Sequence, residues 1–236
     1  MIQLIKLEIK KYKLKRYIKG VFIAIVCIMA FLTMSFIDNK TNTPNDLDTW
    51  KSVILMTNIL STYVFLIFSS ALMAKIIIGE YRDKTILVMF SYPVSRKKLM
   101  TAKLIIVVIF AMACILISDV LCILYVVILE SFVNVVAGNF NFSYIFNEYL
   151  IFLGFIAAGG ILSLVPFTIG MMKKSVPSTV ITAAVLVALM QLVIGGKYAT
   201  LEDTVIKLII ATLISLGLTA YTLIKKISNI DDADVA

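Results

Sequence analysis

The sequence contains no histidine. That absence removes histidine metal sites, Ser-His and Cys-His nucleophile pairs and the imidazole general base together. Charge is scarce as well. Asp, Glu, Lys and Arg make up 15% of the chain, against about 25% in an ordinary soluble domain. Only three cysteines occur, and Cys27, Cys114 and Cys122 all fall in apolar stretches. There they behave as small apolar residues, and no disulfide framework is indicated. Also missing is a G-x-x-x-x-G-K-[ST] run, whose backbone amides would cradle phosphates. Gly195-Gly196-Lys197-Tyr198 comes nearest, but lacks the first glycine at its spacing and the hydroxyl for magnesium. The chain has no site for ATP hydrolysis of its own.

Apolar residues fill the space. They make up 61% of 236 residues, and the mean hydropathy is +1.03. Such a composition excludes disorder and an ordinary water-soluble enzyme. Crossing a hydrocarbon core of about 30 Å takes about 20 helical residues at about 1.5 Å each. Six stretches meet that demand: Ile18–Ile37, Val53–Ile78, Leu104–Leu129, Tyr149–Met172, Val176–Ile194 and Val205–Ile224. None has the alternating pattern of a transmembrane barrel, so the spans are predicted to be helices. The fold class is an all-α integral membrane protein with six transmembrane helices.

Lysine and arginine set the topology. Residues 1–17, the loop from Lys75 to Lys103, the pair Lys173–Lys174 and the tail with Lys225 and Lys226 fall on one side. With Lys19 they carry eighteen basic residues, whereas Lys40, Lys51, Lys197 and Lys207 fall on the other. The asymmetry places both termini in the cytoplasm. The net charge of +8 therefore reads as topology and anionic-lipid contact rather than nucleic-acid binding. The basic start before an apolar run resembles a secretory signal, but five more spans follow, so a signal-anchor is the expectation.

Three regions follow in order: residues 1–17, residues 18–228 and residues 229–236. The first mixes Ile2, Ile5, Ile9 and Tyr12 with Lys6, Lys10 and Lys13 at helical spacing, predicting an amphipathic helix in the membrane interface. The second is the six-span domain, and the third a short acidic cytoplasmic tail. Within the second, Gly79–Lys103 is the most informative stretch. Ile86, Leu87, Val88, Met89 and Phe90 form an apolar run too short to span, set among charges. A short helix over Glu80–Phe90 would present an apolar wedge outside the bilayer, of the kind that marks a protein contact. An interfacial helix bound only to lipid is the bland alternative. Pro93 biases Tyr92 toward extended backbone and turns the chain. Ser95 is a plausible N-cap for a helix running through Lys103 into the third span.

At these residues the chain resembles the small ABC-2 type permeases, the six-span membrane subunits of ATP-binding-cassette exporters. The resemblance rests on Glu80, Thr85, Leu87, Pro93, Ser95, Arg96, Lys97 and Lys103. It implies that the loop is a coupling element docking on a separate ATPase. Glu80, Tyr81, Arg82, Thr85, Pro93 and Arg96 would carry that role, with the apolar Ile86, Leu87, Met89 and Phe90. It further implies two cytoplasmic ATPase subunits, which bring ATP and magnesium, and a second permease chain, identical or related. Length and the lack of a large external domain look most like exporters and immunity pumps for antimicrobial peptides, such as bacitracin, lantibiotic and phenol-soluble-modulin transporters. The implied substrate is amphipathic or hydrophobic and peptide-like.

Asp119 is the one acidic residue well inside a span. A carboxyl group at that depth costs about 2.5–3.5 kcal/mol on insertion scales, so it must face protein or water. Two readings stand side by side. Asp119 lines a substrate cavity with Asn58 and Gln191, or it ties helices together by hydrogen bonds to Asn58, Ser118 or Gln191. The fourth span holds Gly154, Ala158, Gly159, Gly160, Ser163 and Pro166, which predicts close helix approach and a kink. An intramembrane enzyme is disfavoured by the absence of histidine and of a second membrane carboxylate. An ion-coupled secondary carrier using Asp119 is the alternative function.

Overall fold

Among the described residues, four helical stretches are long and apolar enough to cross a bilayer: Ile18–Asp38, Trp50–Ile78, Leu99–Phe132 and Phe152–Lys173. Two shorter apolar helices, Val176–Leu192 and Ile206–Thr222, follow. The computed structural model describes Glu8 and Lys11, residues 17–41, 49–82, 96–133, residue 136, and residues 149–173, 175–194 and 201–233. Among these residues every regular element is helical and no strand occurs.

In chain order the elements are α1 (Ile18–Thr41), α2 (Trp50–Met73), a π-helical turn (Ala74–Ile78), α3 (Gly79–Arg82), α4 (Arg96–Val133), α5 (Tyr149–Leu162), α6 (Val165–Lys173), α7 (Val176–Ile194) and α8 (Leu201–Ala233). The third span is part of a much longer helix. At 38 residues, α4 has nearly twice the about 20 that a bilayer requires. Ser95, the expected N-cap, lies outside the described residues; from Arg96 the helix passes Lys103 without a break. Of the short helix expected at Glu80–Phe90, α3 is the part described; residues 83–95 lie outside the described residues. So does most of the amphipathic N-terminal segment, of which Glu8 and Lys11 are helical. In the acidic segment 229–236, α8 continues to Ala233, and residues 234–236 lie outside the described residues.

The expected fourth span divides at Ser163–Leu164 into α5 and α6. Pro166 lacks the N–H that would bond back to Leu162, and its ring crowds that carbonyl. The turn closes instead through Leu164 N–H to Ile161 O (3.0 Å) and Phe167 N–H to Leu164 O (3.0 Å). Three residues past Lys173, α7 starts at Val176, and the Thr179 N–H and hydroxyl both donate to Ser175 O (3.3 and 3.0 Å).

Two compact units emerge. One holds Leu66–Met112 and Ala158–Ala236, together with Glu8 and Lys11; the other holds Lys15–Phe65 and Ala113–Ala157. In lipid, apolar side chains gain little by leaving hydrocarbon for a protein interior, so close packing and polar contacts decide which faces meet. On α1 the buried positions Val21, Ile25, Ile28, Leu32 and Phe36 form one stripe at helical spacing. Phe22, Ile23, Val26 and Met34 on the other faces are exposed, as a lipid-facing surface demands. In the first unit, Phe68 on α2 stacks on Phe110 of α4, with ring centroids 6.2 Å apart. A Cβ added at Gly160 would lie 2.5 Å from Met112 Cγ, whereas Gly154 has open space around it. The small-residue pattern thus permits a close approach at Gly160 and none at Gly154.

α2 carries a row of buried polar residues: Thr57, Asn58, Ser61, Thr62, Ser69 and Ser70. Most are satisfied inside their own helix. Thr57 donates to Val53 O (2.9 Å), Asn58 to Ile54 O (3.0 Å) and Thr62 to Asn58 O (2.8 Å). Such back-bonding lets hydroxyls and amides enter hydrocarbon without stranding a donor.

Candidate coupling site

The root of the Gly79–Lys103 loop is closed by a buried cluster of charges. Glu80 opens α3 directly after the π-turn, and Lys103 lies two turns into α4. Lys103 is 1% exposed, and its ammonium forms an ion pair and hydrogen bond with Glu80 Oε2. It also donates to Ile76 O in the π-turn (3.4 Å) and lies 3.7 Å from Glu8 Oε2. The other Glu80 oxygen accepts from Lys11 Nζ at 2.7 Å. Two glutamates and two lysines therefore alternate around Glu80 and Lys103. Glu8 and Glu80 are buried, and only Lys11 reaches solvent, at 47% exposure. A lysine in an apolar interior survives as a cation only when paired and hydrogen-bonded. Removing one partner of such a pair costs about 3–5 kcal/mol, whereas a half-exposed pair such as Lys11–Glu80 is worth about 0–1 kcal/mol. The inner pair is what holds the loop's two ends together.

Beneath this cluster the π-turn packs against α6 and α7. Its wider coil is closed by the Gly79 N–H bonding to Ala74 O. Single π-turns within α-helices frequently mark functional positions. Ala74, Ile76, Ile77 and Ile78 are all buried. Gly170 of α6 makes room for them: a Cβ there would meet Thr179 Oγ1 and lie 3.1 Å from Ile78 Cδ1. The root of the loop is thus bedded on α6 and α7, and a displacement of α3 or the start of α4 has to pass through this packing.

Of the residues assigned to coupling, Glu80 lies in the cluster. Tyr81 and Arg82 complete α3 and Arg96 opens α4; their side chains are outside the described set. Thr85, Ile86, Leu87, Met89, Phe90 and Pro93 also lie outside the described residues.

The second unit contains the intramembrane carboxylate. Asp119 is wholly buried; neither of its oxygens makes a hydrogen bond of ordinary geometry, although the Ser61 hydroxyl interacts with it. The bond between helices is made next to it, by Ser61 of α2 and Ser118 of α4 at 3.2 Å. Asn58 is buried too. Its amide nitrogen is spent on its own helix, and its oxygen is unpaired. The expected tie from Asp119 to Asn58 or Ser118 is therefore replaced by a serine pair. Gln191 is exposed on α7, in the other unit. Among the described residues no group of three or more Cys, Asp or Glu side chains could hold a metal ion.

A family model described as ABC-2 family transporter protein matches residues 4–189, which takes in the N-terminal segment, the charged cluster and α1 to most of α7. The chain belongs to the ABC-2 transporter family. An uncharacterized protein of Bacillus subtilis (strain 168), YcbO, is 36% identical over 189 residues, covering 80% of this chain and 82% of its own. No solved structure matches. Membership makes this chain a transporter membrane protein. ABC-2 membrane subunits generally work with a separate ABC ATPase and lack an ATPase site of their own.

The sequence motif of this ABC-2 protein contains Glu80 and Lys103, but their pairing, and the part taken by Glu8 and Lys11, are findings of the structure. The one hint in the sequence is that Glu8 and Lys11 are three residues apart, on one face of a helix.

Proposed function

We propose that the protein is the permease subunit of an ABC exporter, driven by a separate cytoplasmic ATPase through the Gly79–Lys103 loop. Two permease chains, identical or related, and two ATPases form the working unit in this reading, and ATP and magnesium enter with the ATPase. The observation that carries it is the buried Glu80–Lys103 pair, clasped by Glu8 and Lys11 and bedded on α6 and α7. A loop that only lay in the interface would need no such anchor. A loop that receives force needs both ends fixed to the helices it is to move. ATPase closure pushes on α3 and the apolar side chains Ile86, Leu87, Met89 and Phe90, and the clasp delivers the push to α2 and α4 together.

The substrate is an amphipathic or hydrophobic molecule, peptide-like in class, and Asp119 with Asn58 offers unpaired acceptors to a cationic group within the membrane. Gln191, exposed on α7, has less support as a member of that cavity. Family membership supports an ATPase-driven machine over an ion-coupled carrier built on Asp119. Eighteen basic residues against four support cytoplasmic termini.

Reconstitution with the partner ATPase tests the reading. Arg82→Glu is expected to abolish substrate-stimulated ATP hydrolysis without changing membrane insertion. Full stimulated hydrolysis in that variant would overturn the coupling assignment.

A further inference from the structure

We propose that the hairpin between α6 and α7 binds an anionic phospholipid, its phosphate at Lys173 and one acyl chain lying along α7. The hairpin bounds a cavity of about 520 Å³, within the range of about 300–1,000 Å³ that small-molecule sites occupy. Its two ends differ in chemistry.

Lys173, Ser175 and Ser178 line one end. Their ammonium and two hydroxyls make no hydrogen bond or ion pair among the described residues. Thr182, also in the lining, is by contrast satisfied by Ser178 O at 2.7 Å. Three unspent donors and one positive charge, with no carboxylate in the lining, fit a phosphodiester. The other end is apolar, formed by Ile169, Ile181 and Val185, all three exposed.

The dimensions match as well. From the start of α7 at Val176 to Val185 the helix rises about 14 Å, close to the about 15 Å that one leaflet contributes to a hydrocarbon core of about 30 Å. Free phosphate would satisfy the donors and leave the apolar lane bare. A packed helix would cover the lane and leave the donors stranded. A phospholipid satisfies both at once. The basic-residue asymmetry puts this hairpin at the cytoplasmic leaflet, where anionic lipids concentrate. The site rests on the proposed topology and stands apart from the coupling reading.

Native mass spectrometry of the full chain in detergent tests it, with phosphatidylglycerol and phosphatidylcholine added at equal concentration. The expected result is preferential retention of phosphatidylglycerol, weakened about fivefold by Lys173→Gln and also weakened by Ser178→Ala. Lys19→Gln, which removes an exposed lysine of α1, should leave retention unchanged, and excess inorganic phosphate should not displace the lipid. Thermal unfolding of each variant confirms that it is folded. Equal retention of the two lipids, undiminished retention in Lys173→Gln, an equal loss in Lys19→Gln, or displacement by phosphate would each overturn the proposal.

Discussion

Glu80 and Lys103 stand 23 residues apart in sequence, and their side chains meet in an ion pair almost sealed from solvent. The pair closes a loop whose interior holds the apolar side chains proposed to meet an ATPase. Its strength lies in burial, since the same two charges on an open surface would contribute little.

Lys103→Met should therefore be severe. It leaves Glu80 and Glu8 facing an apolar interior with their buried cation gone, at a cost of about 3–5 kcal/mol. A thermal-unfolding scan in detergent should show a marked drop. The triple variant Glu8→Gln, Glu80→Met and Lys103→Met should recover much of the loss, because no buried charge is then left without its partner. Recovery of stability without recovery of stimulated ATP hydrolysis is the expected signature of a pair kept for transmission.

Lys11→Ala should be mild by comparison. Its ammonium is half exposed, so the loss is about 0–1 kcal/mol. A drop in unfolding temperature as large as that of Lys103→Met would show that the solvent-side arm carries the clasp.

Close helix approach can be tested on glycines that look alike in sequence. Gly154→Ala should be neutral, having nothing within 4 Å of the new methyl group. Gly160→Ala should destabilise by about 1–3 kcal/mol through its clash with Met112, and Met112→Ala in the same chain should relieve it. The measurement is again the unfolding temperature of the purified protein.

Much of the architecture is legible from composition alone. Long uncharged apolar runs can be satisfied in lipid only as helices, which is why the all-helical character and four stretches long enough to span read correctly from residue types. The clasp is not legible in the same way. Whether Lys103 points at Glu80 depends on the register of α4 against α2, and that register is shifted by the π-turn at Ala74–Ile78, which no residue there announces. Glu8 and Lys11 read as part of a lipid-facing amphipathic segment because their partners lie far along the chain. Ser61 is one of several hydroxyl residues of α2, and only packing selects it as the one that reaches Ser118. Pro166 did announce its break, since a missing N–H acts locally.

Asp119 invites a test in which stability and function move apart. Its oxygens make no hydrogen bond of ordinary geometry, so Asp119→Leu removes two poorly satisfied buried acceptors and should leave the unfolding temperature unchanged or higher. If Asp119 and Asn58 line the substrate cavity, the same variant should lose substrate-stimulated turnover. A sharply lower unfolding temperature would instead assign Asp119 to holding helices together.

The central claim is that the stretch after α3 lies against a separate motor protein. A photo-crosslinking residue at Leu87, in cells that also make the partner ATPase, tests this directly. The account predicts a covalent adduct with the ATPase subunit. Adducts with lipid alone would contradict it.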